Sequence, residues 1–155
     1  MNASETARYI ITTNWLMTIA TSDNNGKPWI SPVGYTYDDK FNLYWVSNPK
    51  AIHSENIKNR AQLAISIIGK LPDGKNDGVY YDAEAKELND EPEISFAMKM
   101  MQKRNQDTKF KIKSLSDVTG DAVWRIYKAT PIKVYKRGDI TLKGQAITVR
   151  TKVEL

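Results

Sequence analysis

The chain contains 155 residues, of which 41% are hydrophobic, and its formal net charge is +5 at pH 7. This length is typical of one domain and this hydrophobic fraction is enough for an ordinary core, so we predict a single domain over residues 1–155. No apolar run reaches the roughly 18 residues that a membrane-spanning helix needs, and the N-terminus lacks the features of a signal peptide. Cysteine is absent, which excludes disulfides and thiolate chemistry. We therefore expect a protein of the reducing cytoplasm that makes no membrane contact.

The positive charge has two interpretations. It can serve solubility alone, or it can favour an anionic ligand such as a phosphate or a nucleic acid. The 23 basic residues are scattered along the chain, whereas a polynucleotide-binding surface gathers them on one face. We therefore expect no nucleic-acid partner.

The first half of the chain predicts a helix followed by three strands. Ser4 is placed to cap the helix, and the turn Asp23-Asn24-Asn25-Gly26, whose Asn and Gly residues tolerate positive φ, separates the first two strands. Pro28 and Pro32 cannot donate a backbone hydrogen bond, which predicts that the second strand lies at an edge or is interrupted. The predicted elements are a helix over residues 4–13 and strands over residues 15–21, 28–37 and 41–47.

The second half predicts two main helices and further strands. Asn48 is a favourable cap and Pro49 suits the first helical position, so we predict that a helix begins there and ends near Asn59. Asp90 resembles the capping residue of the second helix, and Pro131 is expected to break a long β-rich segment. The strands and β-rich segments are predicted over residues 61–69, 79–88, 122–136 and 146–155. The resulting fold class is mainly β (α+β), an antiparallel barrel of six or seven strands with flanking helices.

The helix predicted to begin at Asn48 is the candidate for chemistry. The N-terminus of a helix offers unpaired N–H groups and a partial positive charge, which together favour a phosphate. The polar side chains near this helix start are Ser47, Lys50, His53 and Ser54. An ordinary surface helix would carry similar residues, so both interpretations stay open. No metal site is predicted, because His53 is the only histidine and no carboxylate cluster accompanies it.

Several segments, taken in order, resemble the pyridoxamine 5′-phosphate oxidase-like proteins. Each segment is short, but their order along the chain is specific. The segments are Gly26–Val33, Tyr44–Ser47, His53–Asn59, Leu63–Ile65 and Gly78–Leu88. The resemblance implies a split β-barrel that binds FMN at the interface of a homodimer.

The resemblance also implies positions for the cofactor-binding residues. The second strand would follow the flavin, and the end of the third strand would lie near the ribityl chain and phosphate. His53 occupies the position that a phosphate-binding lysine commonly holds in the family. The implied cofactor-binding residues are Ser31, Pro32, Val33, Gly34, Val46, Ser47, Lys50, His53 and Ser54.

The sequence departs from the true oxidase at three places. Ser31 replaces an arginine of the second strand, Ile52-His53 replaces an Arg-Lys pair, and the substrate signature is absent from residues 145–155. Two fixed cations are therefore missing, and Lys50 is the remaining candidate to compensate for them. These departures indicate a branch of the family other than the true oxidase.

Three functions remain open from the sequence. The first is an FMN-dependent oxidoreductase that acts on an unidentified small molecule or on a nicotinamide. The second is a non-catalytic protein that binds a flavin, a deazaflavin or haem. The third is an interaction domain whose flavin site has decayed. No catalytic acid or base is identified.

Overall fold

The computed structural model describes residues 1–104 and 112–155, which contain eight strands, three α-helices and one short 3-10 helix. The helices are α1 (Ala3–Thr13), α2 (Ile52–Asn59) and α3 (Glu91–Arg104), and the 3-10 helix is Leu115–Asp117. The strands are β1 (Leu16–Ser22), β2 (Pro28–Gly34), β3 (Thr36–Tyr37), β4 (Leu43–Ser47), β5 (Gln62–Lys70), β6 (Asn76–Glu87), β7 (Arg125–Leu142) and β8 (Gln145–Val153). None of the helices in these ranges has both the length and the apolar character needed to cross a bilayer.

The strands form one antiparallel sheet that curls into a half-barrel. Their order across the sheet is β2-β1-β5-β6-β7-β4-β3, and β8 pairs with β7 outside this path. The predicted mainly β split barrel with flanking helices is therefore confirmed.

The strand count exceeds the prediction because the expected second strand is divided at Tyr35. The Tyr35 side chain turns into the core, where its hydroxyl donates a hydrogen bond to the Ile11 carbonyl at 2.6 Å. Its backbone N–H donates to the Trp15 carbonyl at 2.9 Å, which is the last bond of the β1–β2 ladder, and β3 then pairs with β4. The residues before it form β2 at the sheet edge, as Pro28 and Pro32 predicted.

Two other local predictions are wrong. The cap of α1 is Asn2, whose side chain accepts from the Glu5 N–H at 2.9 Å, while the Glu5 carboxylate accepts from the Asn2 N–H at 2.8 Å. This reciprocal pair places Ser4 inside the first turn. Pro131 does not break β7, because the strand passes through it opposite Ala83, and the irregularity is absorbed by a register shift between Asp82 and Ala83.

The buried side chains form two clusters on opposite faces of the sheet. The larger cluster fills the barrel and includes Trp45, which stacks on Tyr127 with ring centroids 5.6 Å apart. The smaller cluster lies between the sheet and α3 and includes Tyr44 and Ile94. Because Tyr44 and Trp45 are neighbours in β4, that strand contributes to both clusters, as the alternation of a strand buried on both faces requires.

Arg104 at the end of α3 joins three parts of the fold. Its guanidinium lies over the rings of Tyr35 and Tyr37, 5.0 Å and 4.4 Å from their centroids. It also donates to carbonyls at the end of α1, those of Ile11 and Asn14 among them. The Tyr35 hydroxyl and Arg104 therefore satisfy the same helix end.

We expect Tyr35→Phe to destabilise the protein. The change removes the hydroxyl that donates to the buried end of α1, a loss of about 0.5–1.5 kcal/mol in the free energy of unfolding. Urea denaturation followed by circular dichroism measures it. Tyr9→Phe is the control, because the Tyr9 hydroxyl makes no hydrogen bond within residues 1–104 and 112–155. Equal stability of the two variants would contradict the role given to the Tyr35 hydroxyl.

Candidate functional site

The helix α2 begins three residues later than predicted. The Asn48 side chain accepts from the Lys50 N–H at 2.8 Å, and the Asn48 carbonyl accepts from the Ala51 N–H at 3.0 Å. Asn48 therefore closes a turn before the helix instead of capping it. The true N-cap is Ala51, which offers no side-chain hydrogen bond, and helical residues start at Ile52. The first-turn N–H groups of α2 thus have no side-chain cap.

His53 lies in this first turn and connects two strands. Its Nε2 is 2.6 Å from the Ser47 Oγ at the end of β4, and its Nδ1 is 3.0 Å from the Ser31 Oγ in β2. The indole N–H of Trp29 donates to the same Ser31 Oγ at 3.1 Å. We call these four side chains, Trp29, Ser31, His53 and Ser47, the histidine chain.

The positions of these side chains follow from local structure. Ser31 is the register partner of Ile19, and Trp29 that of Thr21, so both project from the side of the sheet on which β1 is buried, with 41% of Trp29 still exposed. The helix α2 is held against β1 because the Asn56 amide donates to the Thr21 hydroxyl at 3.0 Å. This contact fixes the side of α2 that turns inward, and His53 lies on that side.

His53 is held as a neutral donor and acceptor. Only 9% of the residue is exposed, and this burial lowers the pKa of its imidazole below the ordinary value. No charged side chain within the described part of the chain offsets the effect of burial. At neutral pH the ring therefore carries one N–H, and the two serine hydroxyls satisfy both nitrogens.

Lys50 and Ser54, in the described part of the chain, make no hydrogen bond to the histidine chain. Lys50 is exposed on the turn before α2, where water screens its charge. The Ser54 hydroxyl is buried and has no partner at hydrogen-bonding distance. Burial raises the pKa of Tyr127 to about 12, and the Ser54 hydroxyl partly offsets that rise. Ser54 thus belongs to the core side of the helix.

The other four residues implied by the resemblance divide between the faces of the sheet. Val33 is the register partner of buried Met17, so it faces inward beside Ser31. Pro32 and Gly34 alternate with it and lie on the outer face, where both are exposed. Val46 packs against the cluster under α3, on the side of β4 opposite Ser47.

Apart from Lys70 at the end of β5, the outer face of β1, β2 and β5 is uncharged, and it is largely exposed. Its apolar members include Ile30, 66% exposed, and Ile68, 56% exposed. A cleft of about 280 Å³ opens on this face, lined by Asn14, Trp15, Leu16, Met17, Thr18, Ser66 and Ile68. By strand alternation the full outer face comprises Leu16, Thr18, Ala20, Ser22, Pro28, Ile30, Pro32, Gly34, Gln62, Ala64, Ser66, Ile68 and Lys70. An exposed and mostly uncharged surface of this kind is suited to contact with another protein surface.

The role of Trp29 was missed by sequence reasoning. Alternation of β2 places Trp29 and Ser31 on one face, which is visible in the sequence. The hydrogen bond between them, and the connection onward to His53, depend on how α2 docks, which the sequence does not reveal. Within the residues described, no group of three or more histidine and carboxylate side chains could hold a metal ion.

The comparisons with known structures agree with this fold. A haem-binding protein from Mycobacterium smegmatis matches with a TM-score of 0.71 and 18% identity, over 97% of this chain and 58% of the other. An FAD-binding protein from Mesorhizobium loti matches with a TM-score of 0.66 and 18% identity, over 85% and 91% of the two chains. The haem storage protein HutZ from Vibrio cholerae matches with a TM-score of 0.64 and 15% identity, over 84% and 91%.

These similarities show the fold alone, and this chain spans only 58% of the length of the Mycobacterium protein. No curated protein matches the sequence. The sequence model of the family described as pyridoxamine 5′-phosphate oxidase matches residues 3–126, which include the whole histidine chain. The chain therefore belongs to the pyridoxamine 5′-phosphate oxidase family.

Proposed function

We propose that this protein binds FMN and holds the phosphate of the cofactor at the start of α2. The observation that carries the proposal is the histidine chain beside an uncapped helix N-terminus. Ser31, His53 and Ser47 supply hydrogen-bonding groups from three different elements, and the first-turn N–H groups of α2 lack a side-chain cap. Hydroxyl, imidazole and backbone N–H donors suit phosphate oxygens.

The hydrogen-bond donors of the site suit a phosphate, but none of those that are buried carries a fixed charge. All the buried groups are neutral, and Lys50 contributes only a screened charge from the surface. Neutral donors stabilise an anion less than fixed cations do, since charge-assisted hydrogen bonds are roughly twice as strong. We therefore expect weaker retention of FMN than in a site with a buried lysine or arginine. Because the side chains of Val33, Pro32, Gly34 and Val46 lie on different faces of the sheet, it is their backbone groups that are proposed to border the ribityl chain and ring.

Bound FMN would supply hydride or single-electron chemistry to an oxidoreductase. The contribution of this chain is to bind and orient the cofactor and to exclude water from its phosphate. The substrate is proposed to be a small organic molecule or a nicotinamide, and the absence of cysteine agrees with a cytoplasmic location.

Haem is the competing ligand, because two structural neighbours are described as haem proteins. Haem iron needs an axial ligand, and histidine is a common one. His53 is the only histidine, and both its nitrogens are hydrogen-bonded to serines. This arrangement favours an anion over iron.

We also propose that the chain forms a homodimer through the outer face of β1, β2 and β5. Pro32 and Gly34 lie on that face, so a flavin in contact with them would border the partner subunit. Burying Ile30 and Ile68, which are largely exposed in one chain, would stabilise the pair through the hydrophobic effect.

One prediction from this proposal concerns the affinity for FMN. His53→Ala combined with Lys50→Ala should weaken FMN binding by about 1–3 kcal/mol, and most of the loss should come from His53 because Lys50 is exposed. A titration that follows quenching of flavin fluorescence measures each dissociation constant. Lys58→Ala, at the exposed far end of α2, is the matched control.

An unchanged affinity in the double variant would overturn the phosphate site. The visible spectrum of the purified protein, with and without added FMN, tests the cofactor itself. Flavin absorption supports the proposal, a Soret band would replace it with haem, and uptake of neither would contradict both. Reduction of bound flavin by NADPH would distinguish an enzyme from a binding protein.

Another prediction concerns the proposed homodimer. Ile68→Asp places a charge among the exposed apolar residues of the outer face, and an unpaired charge at an interface is costly. We expect the sedimentation coefficient to fall from that of a dimer to that of a monomer. Val123→Asp is the control, because Val123 is also exposed but lies outside the sheet. A wild-type chain that sediments as a monomer would contradict the interface.

A further inference from the structure

The hydrogen-bond donors and acceptors of the histidine chain can be counted one by one. The indole N–H of Trp29 donates to Ser31 and can do nothing else, because an indole is a donor only. Each nitrogen of His53 faces one serine hydroxyl. Neither hydroxyl makes another side-chain hydrogen bond within residues 1–104 and 112–155.

With a neutral ring, one nitrogen of His53 donates and the other accepts. The serine beside the accepting nitrogen must donate its own proton to the ring. The other serine accepts from the ring and keeps its proton free. When the imidazole is neutral, the histidine chain can therefore donate one hydroxyl proton to a ligand, whichever tautomer is present.

With a protonated ring, both nitrogens donate. Ser31 and Ser47 then both accept from the imidazolium, so both hydroxyl protons become free at once. The same event adds a positive charge beside the uncapped start of α2. Protonation therefore converts a single neutral donor into two donors and a cation, which is the arrangement that an oxyanion with several lone pairs requires.

We propose that His53 is a proton-coupled oxyanion receptor, so that binding of a phosphate group through Ser31 and Ser47 is accompanied by uptake of one proton from solvent onto the imidazole. The proposal rests on the proposed function for its ligand, a phosphomonoester such as the end of FMN. It goes further in stating that the charge of the site is supplied by titration and not by a resident cation.

The surroundings of His53 leave this role to the imidazole alone. The strands β1 and β2, which pack against α2, carry no ionisable side chain. On β4 the ionisable Tyr44 packs into the cluster under α3. From β6 and β7 the interior face receives Tyr81, Tyr127 and two ion pairs, Asp77 with Lys136 and Glu87 with Arg125. Arg125 is the register partner of Ser47, but its guanidinium is bound to Glu87 and to the carbonyls of Gly120, Ala122 and Trp124. Lys50 precedes α2 and Glu55 lies on it, and both are exposed.

These surroundings set the direction of the pH dependence. Burial holds the pKa of free His53 below its ordinary value of about 6.5, so the free protein is neutral at this position at pH 7. A bound phosphate raises that pKa, because an opposite charge favours the protonated form. Between the two pKa values the affinity for phosphate falls as the pH rises, by up to about tenfold per pH unit.

The experiment uses the fact that the chain has a single histidine, whose imidazole resonances in the NMR spectrum need no assignment among others. His53 is titrated in the free protein and in protein saturated with FMN. In parallel, the dissociation constants of FMN and of riboflavin are measured between about pH 6.5 and 8.5, where the phosphate is largely a dianion. Riboflavin lacks the phosphate and is the matched ligand control.

The expected result has three parts. FMN shifts the titration of His53 to higher pH, FMN affinity falls with rising pH, and riboflavin affinity stays constant. His53→Gln, which keeps a polar side chain that cannot titrate, should bind FMN more weakly and without pH dependence.

Two results would overturn the proposal. If FMN binds but neither the His53 titration nor the affinity changes with pH, the proton coupling is wrong and the FMN site stands. If FMN does not bind at all, the proposed function fails, and inorganic phosphate then replaces it as the probe. A His53 titration unaffected by phosphate would overturn the oxyanion receptor, whereas a shift to higher pH would support it.

Discussion

The hydrogen bonds of the His53 imidazole join two strands that the sheet itself leaves apart. Ser31 is in β2, at one end of the strand order, and Ser47 is in β4, near the other end. No backbone pairing connects β2 with β4 in the described ranges. A curled sheet that does not close has a gap between its outer strands, and here one imidazole spans it. Any ligand at this point therefore contacts both sides of the barrel.

This position explains why the site consists of short polar side chains. The interior near the gap is filled by Trp45 and Tyr127, stacked with centroids 5.6 Å apart, and Arg125, a long cation nearby, is paired with Glu87. A buried polar group must also find a hydrogen-bond partner or lose free energy. Ser31 and Ser47 meet that requirement for both nitrogens of His53, so the imidazole has its hydrogen-bond partners before a ligand binds.

Sequence reasoning reached the fold more completely than the site. The strand pattern, the edge position of β2 and the place of His53 near a helix start all follow from alternation, proline positions and spacing. The start of α2 was misplaced because Asn48 and Pro49 fit a helix cap and a turn equally well, and only the hydrogen bonds from Lys50 and Ala51 decide for the turn. Propensity is local, whereas the choice depended on where the helix docks.

The docking also determined which predicted residues meet. Ser54 follows His53 by one position, yet a helix turns about 100° per residue, so the two side chains point to different surroundings. Trp29 belongs to the site through its hydrogen bond to Ser31 on the same strand, and not through a hydrogen bond to α2. Contacts within one strand follow from the sequence, but contacts between elements need the packing of α2 on β1.

A histidine in place of a permanent cation changes how the empty protein behaves. A buried lysine or arginine with no counterion would destabilise the folded state, because removing a charge from water is costly. A neutral imidazole with both nitrogens hydrogen-bonded avoids that cost, and burial itself keeps it neutral. The same burial means that a bound anion must supply the free energy to protonate the ring. At position 53 a permanent cation would favour affinity for the anion but destabilise the ligand-free fold. The histidine favours the stability of the ligand-free protein.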